Sequence, residues 1–154
     1  MSQAEQRLAQ LGLTLPVAAA PVANYVPFVV SGKTVYVAGQ LPFQNGQVAH
    51  PGHLGDNVTV EQGYEAARFC ALNLLAQIKA ACGGDLDRVA RILKLTGYVS
   101  CAAGFTDIPK CINGASDLMV AVFGDAGKHA RAAVGVPSLP ANASVEIDAI
   151  VELK

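Results

Sequence analysis

No tryptophan occurs among the 154 residues, and charged side chains make up only 15% of them. The Lys and Arg residues are scattered among a nearly equal number of Asp and Glu, for a formal net charge of −1. With no basic cluster, the electrostatic footprint that tracks phosphates is missing, and a nucleic-acid partner is not expected. No apolar run approaches the ~18–20 residues needed to cross a bilayer. Glu5 and Arg7 interrupt the N-terminus before any apolar stretch begins, which is not the layout of a secretory leader. The expected setting is therefore cytoplasmic, and the Asn57-Val58-Thr59 glycosylation match carries no weight. Cys70, Cys82, Cys101 and Cys111 form no CxxC and stand near no histidine cluster. Neither a metal site nor a disulfide is expected, and Cys70 and Cys82, in a helical pattern, read as small hydrophobes. There is no glycine-rich nucleotide loop, and neither Ser100 nor Ser138 lies in a GxSxG context, so a serine hydrolase has no support.

What is present is apolar: 52% of the chain. The length suits one domain over residues 1–154, and so much apolar surface on a small domain calls for a partner subunit, so a homo-oligomer is expected. Residues 1–15 read as an N-terminal helical extension. Ser2 and Glu5 have capping-box spacing, Ala4, Leu8 and Leu11 share a face, and Gly12 ends the helix. Pro16–Ala23 is an extended connector. Two β-rich runs, Val26–Val30 and Thr34–Ala38, flank a turn at Ser31-Gly32-Lys33, and Asn45–Asn57 reads as a surface loop.

A long helix starts at Thr59, with Gln62 completing a second capping box, and carries Tyr64, Ala67, Ala71, Leu74, Leu75, Ile78 and Cys82 at helical spacing. Gly83-Gly84 stops it. Val89–Ser100 is a strand, Thr106–Phe123 a second long helix with Pro109 in its first turn, and Ala130–Val136 and Ser144–Leu153 two closing strands. The order after the first helix is β-β-α-β-α-β-β. It predicts an α+β sandwich with both long helices on one face of a mixed sheet, the other face being covered by oligomerisation.

Arg131 opens an apolar strand, where a charge is costly without a partner. Its planar fork of donors suits a carboxylate, and that carboxylate is either a small acid or an Asp or Glu on a neighbouring strand. Glu146 is either a solvated residue or, if it faces the same pocket, a group that orients a water. Tyr25 offers a hydroxyl or packs. Gly39 admits a close-approaching ligand or ends a strand. His50, His53 and His129 make no catalytic constellation, and the first two read as solvated loop residues.

Ala130-Arg131-Ala132-Ala133-Val134-Gly135-Val136, then Leu139-Pro140, then Val145-Glu146-Ile147 resemble the C-terminal signature of the Rid (YjgF, reactive intermediate deaminase) family. Val35-Tyr36-Val37-Ala38-Gly39-Gln40-Leu41-Pro42 and the Asn73-Leu74-Leu75 helix ending in Gly83-Gly84 add to the likeness, which runs from about Pro16 to Leu153. The resemblance implies a chorismate-mutase-like fold and a homotrimer, with three sheets around a central barrel and pockets in the clefts between subunits. It also implies cofactor-free hydrolysis of enamines and imines, such as 2-aminoacrylate and 2-iminopropanoate, to 2-keto acids and ammonia.

By position, Arg131 matches the arginine that grips the substrate carboxylate and Glu146 the glutamate that positions water. Tyr25 and Gly39 match pocket residues, and Ala133 stands where many members have cysteine. The helix asparagine corresponds to Asn113 or Ser116. Ala23-Asn24-Tyr25-Val26 replaces the usual Gly-Pro-Tyr-Ser. Two other readings stand beside the deaminase: a non-catalytic protein binding a small carboxylate or keto acid, and an RNA-cleaving activity, against which the low, balanced charge speaks.

Overall fold

A computed structural model describes all residues, Met1–Lys154. Helix α1 spans Gln3–Gln10, and the Ser2/Glu5 capping box is formed, with each partner's side chain accepting from the other's backbone N–H. A second cap comes from elsewhere in the chain. The Asp87 carboxylate accepts from the Gln3 and Ala4 amides at 2.8 and 3.2 Å. Ala4 and Leu8 are buried in the same apolar cluster as the rest of the core. The helical extension is therefore packed into the fold.

Strands β1 (Phe28–Ser31) and β2 (Thr34–Gln40) form a hairpin. Helix α2 (Val60–Ala81) begins at the second capping box, Thr59 with Gln62, and is followed by Gly83 and Gly84 at positive φ. Strand β5 (Val89–Ser100), helix α3 (Ile108–Phe123), strand β6 (Ala130–Val136) and strand β7 (Val145–Leu153) complete the main frame. Helix α3 starts two residues later than the sequence reading placed it. No side chain caps its first turn, and Pro109 sits inside that turn.

One element was missed. At the start of the segment read as a loop, β3 (Phe43–Gln44), just ahead of it, pairs with β4 (Gln47–Val48) inside it. The turn between them is Asn45-Gly46, both at positive φ, the pairing that suits a two-residue hairpin. The strands are too short to show alternation.

The main sheet is mixed, in the order β1-β2-β7-β5-β6, with β5 and β6 parallel and the other pairs antiparallel. Along β7, Val145, Ile147, Ala149, Val151 and Leu153 are buried, whereas Glu146, Asp148, Ile150 and Glu152 are not. The buried set, with Val35, Val37, Ile92, Leu95 and Val99, shares one core with α2 and α3. Both long helices thus lie on one face, as expected from the element order. The other face is open and carries exposed Val29, Tyr36 and Val134. No helix is long and apolar enough to cross a membrane.

Candidate functional site

The parallel pairing of β6 with β5 sets where Arg131 points. Arg131 stands opposite Leu95, which stands opposite Ala149. Both are buried against the helices, so Arg131 shares the helix-covered face at the free edge of the sheet. There its Nη1 donates to Asn113 Oδ1 at 2.8 Å and to Ser116 Oγ at 3.2 Å. Asn113 and Ser116 are three apart on α3 and therefore neighbours on one helix surface. The two alternatives for the helix residue are both in place around Arg131.

No carboxylate of the chain forms an ion pair with Arg131. The structural alternative, an acidic partner on a neighbouring strand, is thereby corrected within the chain: the guanidinium rests on two neutral groups. Its Nε and Nη2 have no partner. Half of a planar fork is left free. Ala133, two residues on and on the same face, stands opposite Gly97 and packs against the core.

A further residue belongs to this cluster. His129, two residues before Arg131 and just ahead of β6, has Nε2 2.9 Å from Ser116 Oγ and Nδ1 2.6 Å from the Gly127 carbonyl. The three histidines form no constellation with one another, as the sequence analysis expects; His129 instead meets Ser116 on α3. The available signal was its closeness in sequence to Arg131; the Ser116 contact is made with another element and is not visible in the chain order.

Glu146 lies elsewhere. It stands opposite Tyr98 on the open face, three rows along β7 from Ala149 and on the other side of the sheet. A bulge in β2 between Val37 and Gln40 brings Gly39 beneath it, so that a Cβ on Gly39 would lie 2.5 Å from Glu146 Oε1. Glycine is the residue that leaves this carboxylate its room. Burial, and next the nearby Asp148 charge, push the Glu146 carboxyl above its ordinary range. Asp148 itself accepts a hydrogen bond from the Tyr98 hydroxyl at 3.2 Å. Tyr25 is exposed just before β1, where the Pro27 carbonyl accepts from the Ala38 amide at 2.9 Å. The chain around Tyr25 therefore runs near the Ala38–Gly39 end of β2.

The structure thus gathers Arg131, Asn113, Ser116, Ala133 and His129 at the β6 edge and Glu146 with Gly39 on the open face, while Tyr25 is exposed ahead of β1. It does not bring Arg131 and Glu146 together within one chain. His50 bonds Glu65 at 3.0 Å and His53 the Pro137 carbonyl at 3.1 Å, and no three His, Cys, Asp or Glu side chains converge. All four cysteines are free thiols.

The fold and this arrangement define a chorismate-mutase-like α+β chain with an unpaired arginine at a sheet edge. The family described as "YjgF/chorismate_mutase-like, putative endoribonuclease" matches residues 5–153, and the chain belongs to it. Protein TCP17 of Trypanosoma cruzi is 50% identical over 147 residues, covering 95% of this chain and 91% of its own. The solved structure of Atu1372 from Agrobacterium tumefaciens, a protein of unknown function, is 53% identical, with a TM-score of 0.94 and coverage of 99% and 93%. An endoribonuclease-named protein from Shewanella oneidensis is 38% identical, also at a TM-score of 0.94, with coverage of 97% and 99%.

Proposed function

We propose that this chain hydrolyses reactive 2-imino and 2-enamino acids to 2-keto acids and ammonia, without a cofactor, at a site shared between two copies. The observation that carries the reading is the Arg131 guanidinium: fixed by Asn113 and Ser116, free of any acidic partner, with Nε and Nη2 unclaimed. A guanidinium held this way is prepared for a carboxylate, and every substrate of this class has one.

The chemistry asks little beyond position. The imine carbon is electrophilic. Water adds to it, giving up a proton to the Glu146 carboxylate. The added hydroxyl then loses its proton as the C=O bond forms, and the C–N bond breaks with its electron pair leaving on nitrogen, which takes back the proton held by Glu146 and departs as ammonia. Glu146, kept in a half-buried place beside Gly39, suits the proton-accepting role. Because it lies on the opposite face from Arg131, it meets the bound substrate only when supplied by a neighbouring copy. The open sheet face and the free β6 edge are the surfaces on which such copies pack. A trimer with its pockets in the clefts between subunits fits both.

Two other readings are weaker. An RNA-cleaving role would require a track of basic side chains, and at net charge −1 with scattered cations there is none. A binding protein for a small carboxylate would use Arg131 and leave Glu146 idle. The decisive test follows 2-iminopropanoate, generated in place by an amino-acid oxidase. Wild-type protein is expected to accelerate its decay, with Arg131→Ala losing that acceleration by about 100-fold or more, as removal of a charged anchor would. Binding of pyruvate by wild type and by Glu146→Gln, with no turnover by either, would establish the binding role instead.

A further inference from the structure

We infer that Ser116 and His129 form a hydroxyl–imidazole relay that accepts a proton from the substrate held on Arg131, making His129 an acid–base group of this site. The inference rests on the deaminase reading above and assigns a task to two residues which that reading leaves as scaffolding.

The direction of each hydrogen bond follows from its partners. The Gly127 carbonyl can only accept, so His129 Nδ1, 2.6 Å away, carries the hydrogen. In the neutral ring Nε2 is then the lone-pair nitrogen, and at 2.9 Å it accepts the Ser116 hydroxyl proton. Arg131 Nη1, donating to Ser116 Oγ at 3.2 Å, occupies one of the oxygen's lone pairs. Ser116 thus has its proton directed at a base, its oxygen polarised by a cation, and one lone pair left for a further donor. This is the arrangement of an activated hydroxyl with an oriented base, the third group being a backbone carbonyl. A packing role alone would need none of it, since an apolar pair of the same size would serve as well at a half-buried edge.

The reaction supplies a proton for that free lone pair. Once water has added, the tetrahedral carbon carries a hydroxyl, an amino group and the carboxylate gripped by Arg131. Collapse to the ketone requires the hydroxyl proton to leave while nitrogen gains one. The hydroxyl proton passes to Ser116 Oγ as the proton of Ser116 passes to His129 Nε2. The C=O bond forms, and the C–N pair departs on nitrogen, which takes the proton that Glu146 removed from the water. Glu146 is regenerated as a carboxylate, and His129 releases its proton to solvent. For a protonated imine and one water, the products are a keto acid, ammonia and one proton, so atoms and charge balance. Ser116 touches the substrate and is catalytic; His129 acts through it.

The test uses the full-length protein with 2-iminopropanoate. His129→Ala is expected to lower kcat about 100-fold, the usual scale of a lost acid–base group, with KM little changed because Arg131 keeps its anchor. Ser116→Ala should lower kcat similarly, and the double variant should be no worse than either single one, because the two groups act in series. Added imidazole should restore part of the rate to His129→Ala and none to Ser116→Ala. His129→Gln, which keeps a side chain of similar reach without a titratable ring, guards against a folding defect, and should be as slow as His129→Ala. Full kcat in folded His129→Gln, with Arg131→Ala inactive, would overturn the relay and leave the deaminase reading intact. A wild-type protein that does not accelerate imine decay would overturn both.

Discussion

Glu146 illustrates how two neighbours set one group's behaviour. Its carboxyl is held above the ordinary carboxylate range by burial first and by the Asp148 charge second. If its charged form takes the proton from water, the rate falls as pH drops through that raised value. Asp148→Asn removes the second cause, keeps an oxygen for the Tyr98 hydroxyl, and leaves burial unchanged. The acid limb of kcat/KM should therefore move to lower pH in that variant, by less than the whole displacement, as a pH–rate profile would record. An unmoved limb would mean that another group governs it. Residues of this kind were legible to different degrees. Arg131 stood out because a charge in an apolar strand has few explanations, and Glu146 because of its place in the signature. His129 did not stand out, because its meaning comes from Ser116, thirteen positions away and on another element.

At the scale of elements, the two capping boxes were readable in the chain because a cap is written within four residues, and both are formed. The Asn45-Gly46 hairpin was written just as locally but masked by strands of two residues. What local sequence could not contain is the docking of α1. Asp87 accepts from its first amides, Arg7 donates to the Val122 carbonyl at 2.9 Å, and Lys79 pairs with Glu5. Leu8, 2% exposed, is its main apolar anchor. Leu8→Ala should cost roughly 2–3 kcal/mol, the low end for a buried leucine because a terminal helix can settle into the gap. For a chain of this size that lowers Tm by about 4–12 °C. The Gln3 amide, and less strongly that of Ala4, holds the Asp87 carboxyl below its usual range. A depressed folded-state pKa stabilises the fold above the unfolded carboxylate value and is lost as pH falls through the folded one. Amide exchange in α1, corrected for intrinsic rates, should therefore lose protection on acidification before the sheet does. In Asp87→Asn it should be less protected at neutral pH already.

The whole molecule poses the question that the separate residues cannot answer: how an arginine on one face of a sheet and a glutamate on the other serve one small substrate. Leu95 and Tyr98, opposite Arg131 and Glu146 respectively, are three residues apart on β5. The two side chains thus leave opposite sides of the sheet about 10 Å apart along the strand, with a further strand between them. No rotamer closes that gap, whereas an oligomer in which one copy's β6 edge meets another's open face does. Mixing inactive variants distinguishes the cases. When Arg131→Ala and Glu146→Gln chains are co-expressed in equal amounts, a shared site is intact if its arginine comes from the second variant and its glutamate from the first. Random assembly meets each condition half the time, so about a quarter of wild-type activity should return in a symmetric ring of copies. A site contained in one chain would give no recovery, because every chain would carry one lesion. Sedimentation of the mixture confirms that exchange has produced hybrids of wild-type size, so that a null result counts against the shared site and not against the mixing.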